Sequence, residues 1–402
     1  MRAITRNMVQ RGLLAASASV LVACGGGGDS DPGVTVASAG TLRLALTDAP
    51  ACGYDQVNVT VEKVRVHQNT AAADSEGGWA EIVLNPVKRV NLLTLTNGVL
   101  EELGATSLPA GRYTQVRLVL ASNTAAVPFA NSVIPTGAVE TPLDTPSAQQ
   151  SGLKMNADIS VATNQVADFV LDFNACKSVV SAGQSGRYNL KPVVSILPRV
   201  TSTGLAVEGY VDSAMAGGTT SVSLQLAGVA ARATVPDAAG KFLLSPVPAG
   251  NYDLVITANG RATAVMTGVP VTLTGKTLVN PSSSPINPPV STMRIASGNV
   301  TTTGQSAIPD ATLRALQAIG TPKVELIARP VNAGTGAYSF SLPIVAPVKT
   351  AYAAGSTTLS FAPDGAAAAK YTLEALVPGR PTQTASIDLG AGDVVTPFSF
   401  AP

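Results

Sequence analysis

Leu42, Leu44 and Leu46 alternate with Arg43, Ala45 and Thr47 and stop at Asp48-Ala49-Pro50. This is the period-two pattern of a half-buried strand closed by a turn. Val57, Val59 and Val61 repeat it, but Val64 and Val66 fall on the other parity, so a β-bulge is expected near Glu62-Lys63. Further strands are expected at Val116, Leu118 and Leu120, at Phe169, Leu171 and Phe173, and over Tyr188, Leu190, Val194 and Ile196. Asp168 and Asp172 fall on the face opposite the Phe169 row, which reads as a solvated sheet face, with a weak calcium or partner contact as the alternative. Residues 91–103 (NLLTLTNGVLEEL) are the one stretch of this first region that could carry a short helix.

The same alternation continues in a second region, residues 203–281. Leu205 to Val211 opens a strand, Val222, Leu224 and Leu226 alternate, and Gly and Pro-Ala-Gly turns separate strands centred on Phe242 and Tyr252. Residues 282–290, rich in Pro and Ser, read as an extended spacer. A third region, 291–402, repeats the theme loosely. Gly336-Ala337-Tyr338-Ser339-Phe340 matches the Gly-Lys-Phe turn and Tyr371 the Tyr strand, with an Ala-rich insertion at 345–369 between them. Asp310 could cap a helix over 310–319, but correspondence with the second region favours a strand.

Composition agrees with an all-β chain of several domains. Hydrophobic residues make up 46% and charged residues 13%, with 37 Gly and 28 Pro among 402 residues. Lys+Arg at 26 against Asp+Glu at 25 leaves a net charge of +1, too flat to attract nucleic acid.

The N-terminus reads as an address. Arg2, Arg6 and Arg11 precede the apolar run 12–23 (GLLAASASVLVA), too short to span a bilayer and the size of a signal-peptide core. Leu21-Val22-Ala23-Cys24 resembles the box at which bacterial lipoprotein precursors are diacylated and cleaved. That resemblance implies a signal peptide at 1–23, a lipidated Cys24, and a Gly-rich tether at 24–39. Gly25 after the cysteine, in place of the Asp that resembles an inner-membrane retention signal, points to the outer membrane. The remaining pair, Cys52 and Cys176, reads as a disulfide in an exported protein. It would close a long loop, for which loop-closure models give about 4–5 kcal/mol.

Residues 40–200 carry a resemblance of their own. Gly40-Thr41-Leu42, Leu46-Thr47-Asp48-Ala49-Pro50 and Val61-Glu62-Lys63-Val64-Arg65-Val66-His67 open it. Gly78-Trp79, the run 90–98 (VNLLTLTNG), Leu108-Pro109-Ala110-Gly111-Arg112-Tyr113 and Gln150-Ser151-Gly152-Leu153-Lys154 follow. Leu171-Asp172-Phe173, Lys177-Ser178 and Tyr188-Asn189-Leu190-Lys191-Pro192 complete it. The set resembles a bacterial family of unknown function found at the front of exported lipoproteins. Residues 203–281 resemble the carboxypeptidase-regulatory-like module. The resemblances imply tandem prealbumin-like or immunoglobulin-like β-sandwiches and carry over no catalytic residue.

Candidate chemistry is sparse. His67, the only histidine, ends a strand beside Arg65 and the polar run Gln68-Asn69-Thr70, where a solvated edge is the plain expectation. One imidazole rules out a His-paired zinc site and the HExxH motif. Ser151-Gly152-Leu153-Lys154 matches SxxK without the SDN and KTG elements that accompany it. Gly275-Lys276-Thr277 looks like the tail of a phosphate loop, but Pro270 stands where the first Gly belongs. Asp168 and Asp172, with Asp158 upstream, sit about 13 Å apart at i and i+4 of a strand, beyond either glycosidase spacing. Trp79 is expected in the core, with sugar stacking open to it if exposed. The sequence therefore predicts no catalytic residue, no metal site and no cofactor. It predicts a non-enzymatic lipoprotein acting as a structural or interaction module, with carbohydrate or small-ligand binding as the alternative. Its expected partners are the membrane, through Cys24, and an envelope protein or polysaccharide.

Overall fold

Stretches rich in Val, Leu and Thr with period-two spacing form strands here because one side of each fits a pleated, buried surface. A computed structural model of the protein describes residues 38–48, 53–146, 151–183, 185–199, 204–217 and 219–402. Cys24 and Cys52, with the signal and tether segments up to residue 37, lie outside them. From Ser38 to Pro402 the chain forms one unit of three β-sandwiches, each two sheets closed over its own core. The fold is nearly all-β; among the described residues the named helical elements are 3-10 turns and the four-residue helix Ala175–Ser178.

In the first sandwich Ala39–Asp48 lies between Glu101–Pro109, antiparallel, and Val166–Phe173, parallel. The facing sheet is built on Tyr54–His67, which pairs with Ala80–Asn91 and Gly111–Leu120. Register shifts between Val61 and Lys63 against both neighbours, which is the expected bulge. It returns Val64 and Val66 to the core face beside Val57, Val59 and Val61, all at most 1% exposed. Ala39–Asp48 is half-buried only at its start; Ala45, Thr47 and Asp48 are buried as fully as the leucines. The 92–99 loop accounts for this, accepting from Thr47 Oγ1 through Leu95 O and Val99 O. Within 91–103 a single 3-10 turn forms, Leu92–Thr94, capped by Asn91. The left-handed pair Asn97 (φ 57°) and Gly98 (φ 81°) then turns the chain into the next strand.

The second and third sandwiches share a register. Gly209 pairs with Phe242, and Val211 N–H donates to Gly240 O (2.8 Å). Correspondingly Gly298 pairs with Tyr338, and Val300 N–H donates to Gly336 O (2.9 Å). A Cβ on Gly240 would stand 2.1 Å from Val211 O and one on Gly336 2.2 Å from Val300 O, so both turns need the bare backbone. Residues 312–318 are a strand, as the correspondence suggests. A second repeat links the first two sandwiches. Tyr113 Oη donates to Pro109 O (3.0 Å) and Tyr252 Oη to Pro248 O (2.9 Å), each within a Pro-Ala-Gly-x-Tyr run. Each bond staples a tyrosine back over its own turn.

The sandwiches also exchange material. From the Ala-rich stretch 345–369, Val348–Ala351 pairs in parallel with Ala264–Val271, and Ala362–Pro363 extends that sheet again. Val348 is buried in the second core, with Tyr352, Leu359 and Phe361 packed against it. The third sandwich thus lends two strands to the second. Residues 282–290 are fastened rather than left as a spacer. Ile286 is 2% exposed, donates to Tyr210 O and accepts from Asp212 N–H. Their prolines keep the chain extended, the conformation a sheet edge accepts.

Candidate functional site

Chemistry-bearing side chains gather in two places: a cap over the outer face of the first sandwich, and the seams where the three sandwiches meet.

The cap corrects the expectation for His67. It is 7% exposed, covered by the segment from Gln68 to Trp79. Its Nδ1 accepts from Asn69 N–H (2.9 Å) and its Nε2 faces Gly77 O (2.9 Å), a pattern that puts the proton on Nε2. Neither nitrogen is free to act as a base or ligand. Gly78 (φ 93°) permits this closure, since a Cβ there would stand 3.0 Å from His67 Nε2. Trp79 is half-buried, neither core nor an open platform. Its Nε1 donates to Ala73 O (3.0 Å), and the guanidiniums of Arg65 and Arg117 each lie 4.6 Å from the ring centroid. Arg65 ion-pairs with Asp74 and with Glu81 (2.9 Å), and Arg117 with Asp74 (3.3 Å). Arg117 also donates to Ser151 O (3.1 Å), while Lys154 stands exposed on the neighbouring strand in register with Arg117.

Asp168 and Asp172 are not on a solvated face. Asp172 pairs with Arg232 of the second sandwich, whose side chain is 1% exposed and whose Nη2 donates to Thr47 Oγ1 (2.8 Å). Burial pushes the Asp172 carboxyl above its ordinary range, although Arg232 beside it pulls the other way. Asp168 is 8% exposed on its side chain and faces Arg43 (3.4 Å) and Arg199 (3.9 Å). Burial pushes it up as well, against those two cations. Asp158 does sit in solvent, paired with Arg112 (2.7 Å). Lys276, of the phosphate-loop-like triplet, is held by Glu208 (2.6 Å).

Beside the Asp172 pair, Asn97 of the first sandwich reaches the second. Its N–H donates to Thr234 Oγ1 (2.6 Å) and its Oδ1 accepts from Leu243 N–H (2.5 Å). All three bodies meet at Glu325. Its carboxylate takes Lys177 of the first (2.8 Å) and Arg314 of its own sandwich (3.0 Å). Its backbone exchanges both hydrogen bonds with the Gln225 side chain of the second (2.7 and 2.8 Å). Four residues on along the same strand, Arg329 lines a cleft of about 420 Å³ between the second and third sandwiches. The sequence reading missed this residue; only the lack of any acid in Ala328-Arg329-Pro330-Val331 marks it.

Cys176 lies in the short helix Ala175–Ser178; Cys52, its expected disulfide partner, lies outside the described residues. Among the described residues no group of three or more His, Cys, Asp or Glu is placed to hold a metal ion. None of their helices is long and apolar enough to cross a membrane. The clefts at the seams are lined by none of His67, Ser151 or Lys154.

No curated protein matches the chain. Among solved structures, a type II cohesin–X-dockerin complex from Acetivibrio cellulolyticus is 28% identical over 21% of this chain and 56% of its own, with a TM-score of 0.17. The chain thus spans little more than half of that relative. A streptococcal ancillary pilin is 10% identical over 90% of this chain and 99% of its own (TM-score 0.18). The major pilin subunit of Bacillus cereus is 11% identical over the same shares (TM-score 0.15). Overlaps this shallow leave the functional reading to the chain's own residues. Residues 39–192, within the first sandwich, match the family model of the domain of unknown function DUF4382.

Proposed function

We propose that the protein is an extracytoplasmic lipoprotein, anchored to the outer membrane through Cys24, that displays three joined β-sandwiches as a non-catalytic interaction module. The observation carrying this reading is the engagement of the reactive groups. His67, Asp172, Glu208 and Glu325 are each occupied by a structural partner, so these groups serve the fold. The second sandwich acts as an accessory module of carboxypeptidase-regulatory-like type, and the Cys52–Cys176 disulfide ties the first sandwich together outside the reducing cytoplasm. The partner is a protein or polysaccharide of the cell envelope.

The anchor is tested by labelling cells with radioactive palmitate and fractionating them. Wild type should incorporate label and sediment with membranes, and Cys24→Ala or globomycin treatment should abolish both. Unchanged size and partitioning in Cys24→Ala would overturn the reading. Arg329 favours a second role, ligand binding.

A further inference from the structure

Arg329 is a half-buried cation without a counter-ion among the described residues. It makes no ion pair and no hydrogen bond with any described residue, and its Nε is buried without a partner. It acts electrostatically on the Tyr54 hydroxyl of the first sandwich, which burial pushes up to about 12 against the pull of Arg329. Burial also draws the Arg329 guanidinium below its ordinary value. Leaving a charge this dry without a partner is costly, and a ligand that supplies the opposite charge recovers the loss.

The cleft it lines is suited to one. At about 420 Å³ it falls within the roughly 300–1,000 Å³ of small-molecule sites. No aspartate or glutamate lines it. The adjoining hollow of about 190 Å³ does contain Glu325, but Lys177 and Arg314 already hold that carboxylate. A second unengaged polar group belongs to the lining. Thr263 lines the cleft, is 1% exposed, and its Oγ1 has no partner. Arg261, on the wall, spends Nη1 on Asn287 and Pro288 and keeps its other donors. Ile295 and Leu342 add aliphatic surface to the lining. A guanidinium matches a carboxylate through two parallel N–H···O bonds, and the hydroxyl and aliphatic walls suit a short stem.

We propose that this cleft binds a small organic carboxylate, with Arg329 taking the oxyanion and Thr263 donating to the ligand. The site goes beyond the anchored-module reading and does not depend on the lipid. Such a carboxylate comes from two sources, an aliphatic acid or the hexuronate of an acidic polysaccharide.

Isothermal titration of the full chain with hexanoate, galacturonate and inorganic phosphate tests this. Saturable binding of hexanoate or galacturonate is expected, and which of the two binds identifies the source. Arg329→Gln should weaken it by at least ~10-fold with an unchanged melting temperature, and Thr263→Val by less. Ser341→Trp, a change at an exposed position on the cleft wall, should block it and stands in should Arg329→Gln fail to fold. The proposal is overturned by phosphate binding alone, by silence with all three probes, or by equal affinity in wild type, Arg329→Gln and Ser341→Trp.

Discussion

Arg232 and Arg329 both sit at seams between sandwiches, and their surroundings differ in kind. Arg232 comes from the second sandwich and meets Asp172 and Thr47 of the first, in a place sealed to 1% exposure. Arg329 comes from the third, opens onto a cleft, and meets no carboxylate among the described residues. A buried cation with its anion supplied by the neighbouring body locks two bodies in one arrangement. A buried cation to which no described residue supplies an anion leaves that position for something else.

The comparison breaks most visibly at the paired arginine. Asp172→Ala strands Arg232 in a dry seam and should lower the free energy of unfolding by about 3–5 kcal/mol in urea. Asp172→Leu combined with Arg232→Met should recover most of it, because the pair's desolvation is then removed as well. A double exchange as damaging as the single one would show that the seam depends on the charges themselves.

A smaller effect separates the carboxylates by sign. Asp172 is raised by burial, so its contribution is full below an unfolded pKa of about 3.9 and fades as pH climbs through the folded value. Glu208 is raised by burial too, but Lys276 and Lys241 outweigh this and hold it below its ordinary range. Its contribution is full above about pH 4.3 and is lost as pH falls through the folded value. Glu208→Gln should therefore flatten the acid limb of a stability–pH profile. Asp172→Asn should remove a decline that begins above about pH 3.9. Identical profiles for the two variants would contradict these assignments.

The smallest stability effect belongs to the unpaired arginine. Arg329→Met removes a half-buried charge that bonds to no described residue, so thermal melting should be unchanged or slightly raised. A loss of several degrees would mean that Arg329 holds the fold.

Local features were legible in the sequence because they depend on near neighbours in the chain. The alternation of Leu42, Leu44 and Leu46 and the parity change between Val61 and Val64 follow from the pleat, and the strand at 312–318 from correspondence with the second region. Burial imposed by another sandwich was not legible. Nothing in the Val166–Phe173 pattern distinguishes a carboxylate facing water from one facing Arg232. A faint signal existed on the other side: Val229–Thr234 reads VAARAT, one arginine among small residues that permit close approach. His67 was misread because its cover arrives ten residues later, at Gly77-Gly78. The 345–369 stretch was read only as an Ala-rich insertion; that Val348, Tyr352 and Phe361 anchor it in the core of a different sandwich needed the structure. The repeated Pro-Ala-Gly-x-Tyr run was visible in both regions, but its meaning, a hydroxyl bonded back to the proline carbonyl, needed the structure.

Shared strands, the Glu325 hub and the Arg232–Asp172 pair together make one claim, that the three sandwiches stand or fall as a unit. Scanning calorimetry of the chain tests it most directly. A single transition with equal calorimetric and van't Hoff enthalpies is the expected result. Three separated transitions, or a second and third sandwich melting independently despite the strands they share, would contradict it.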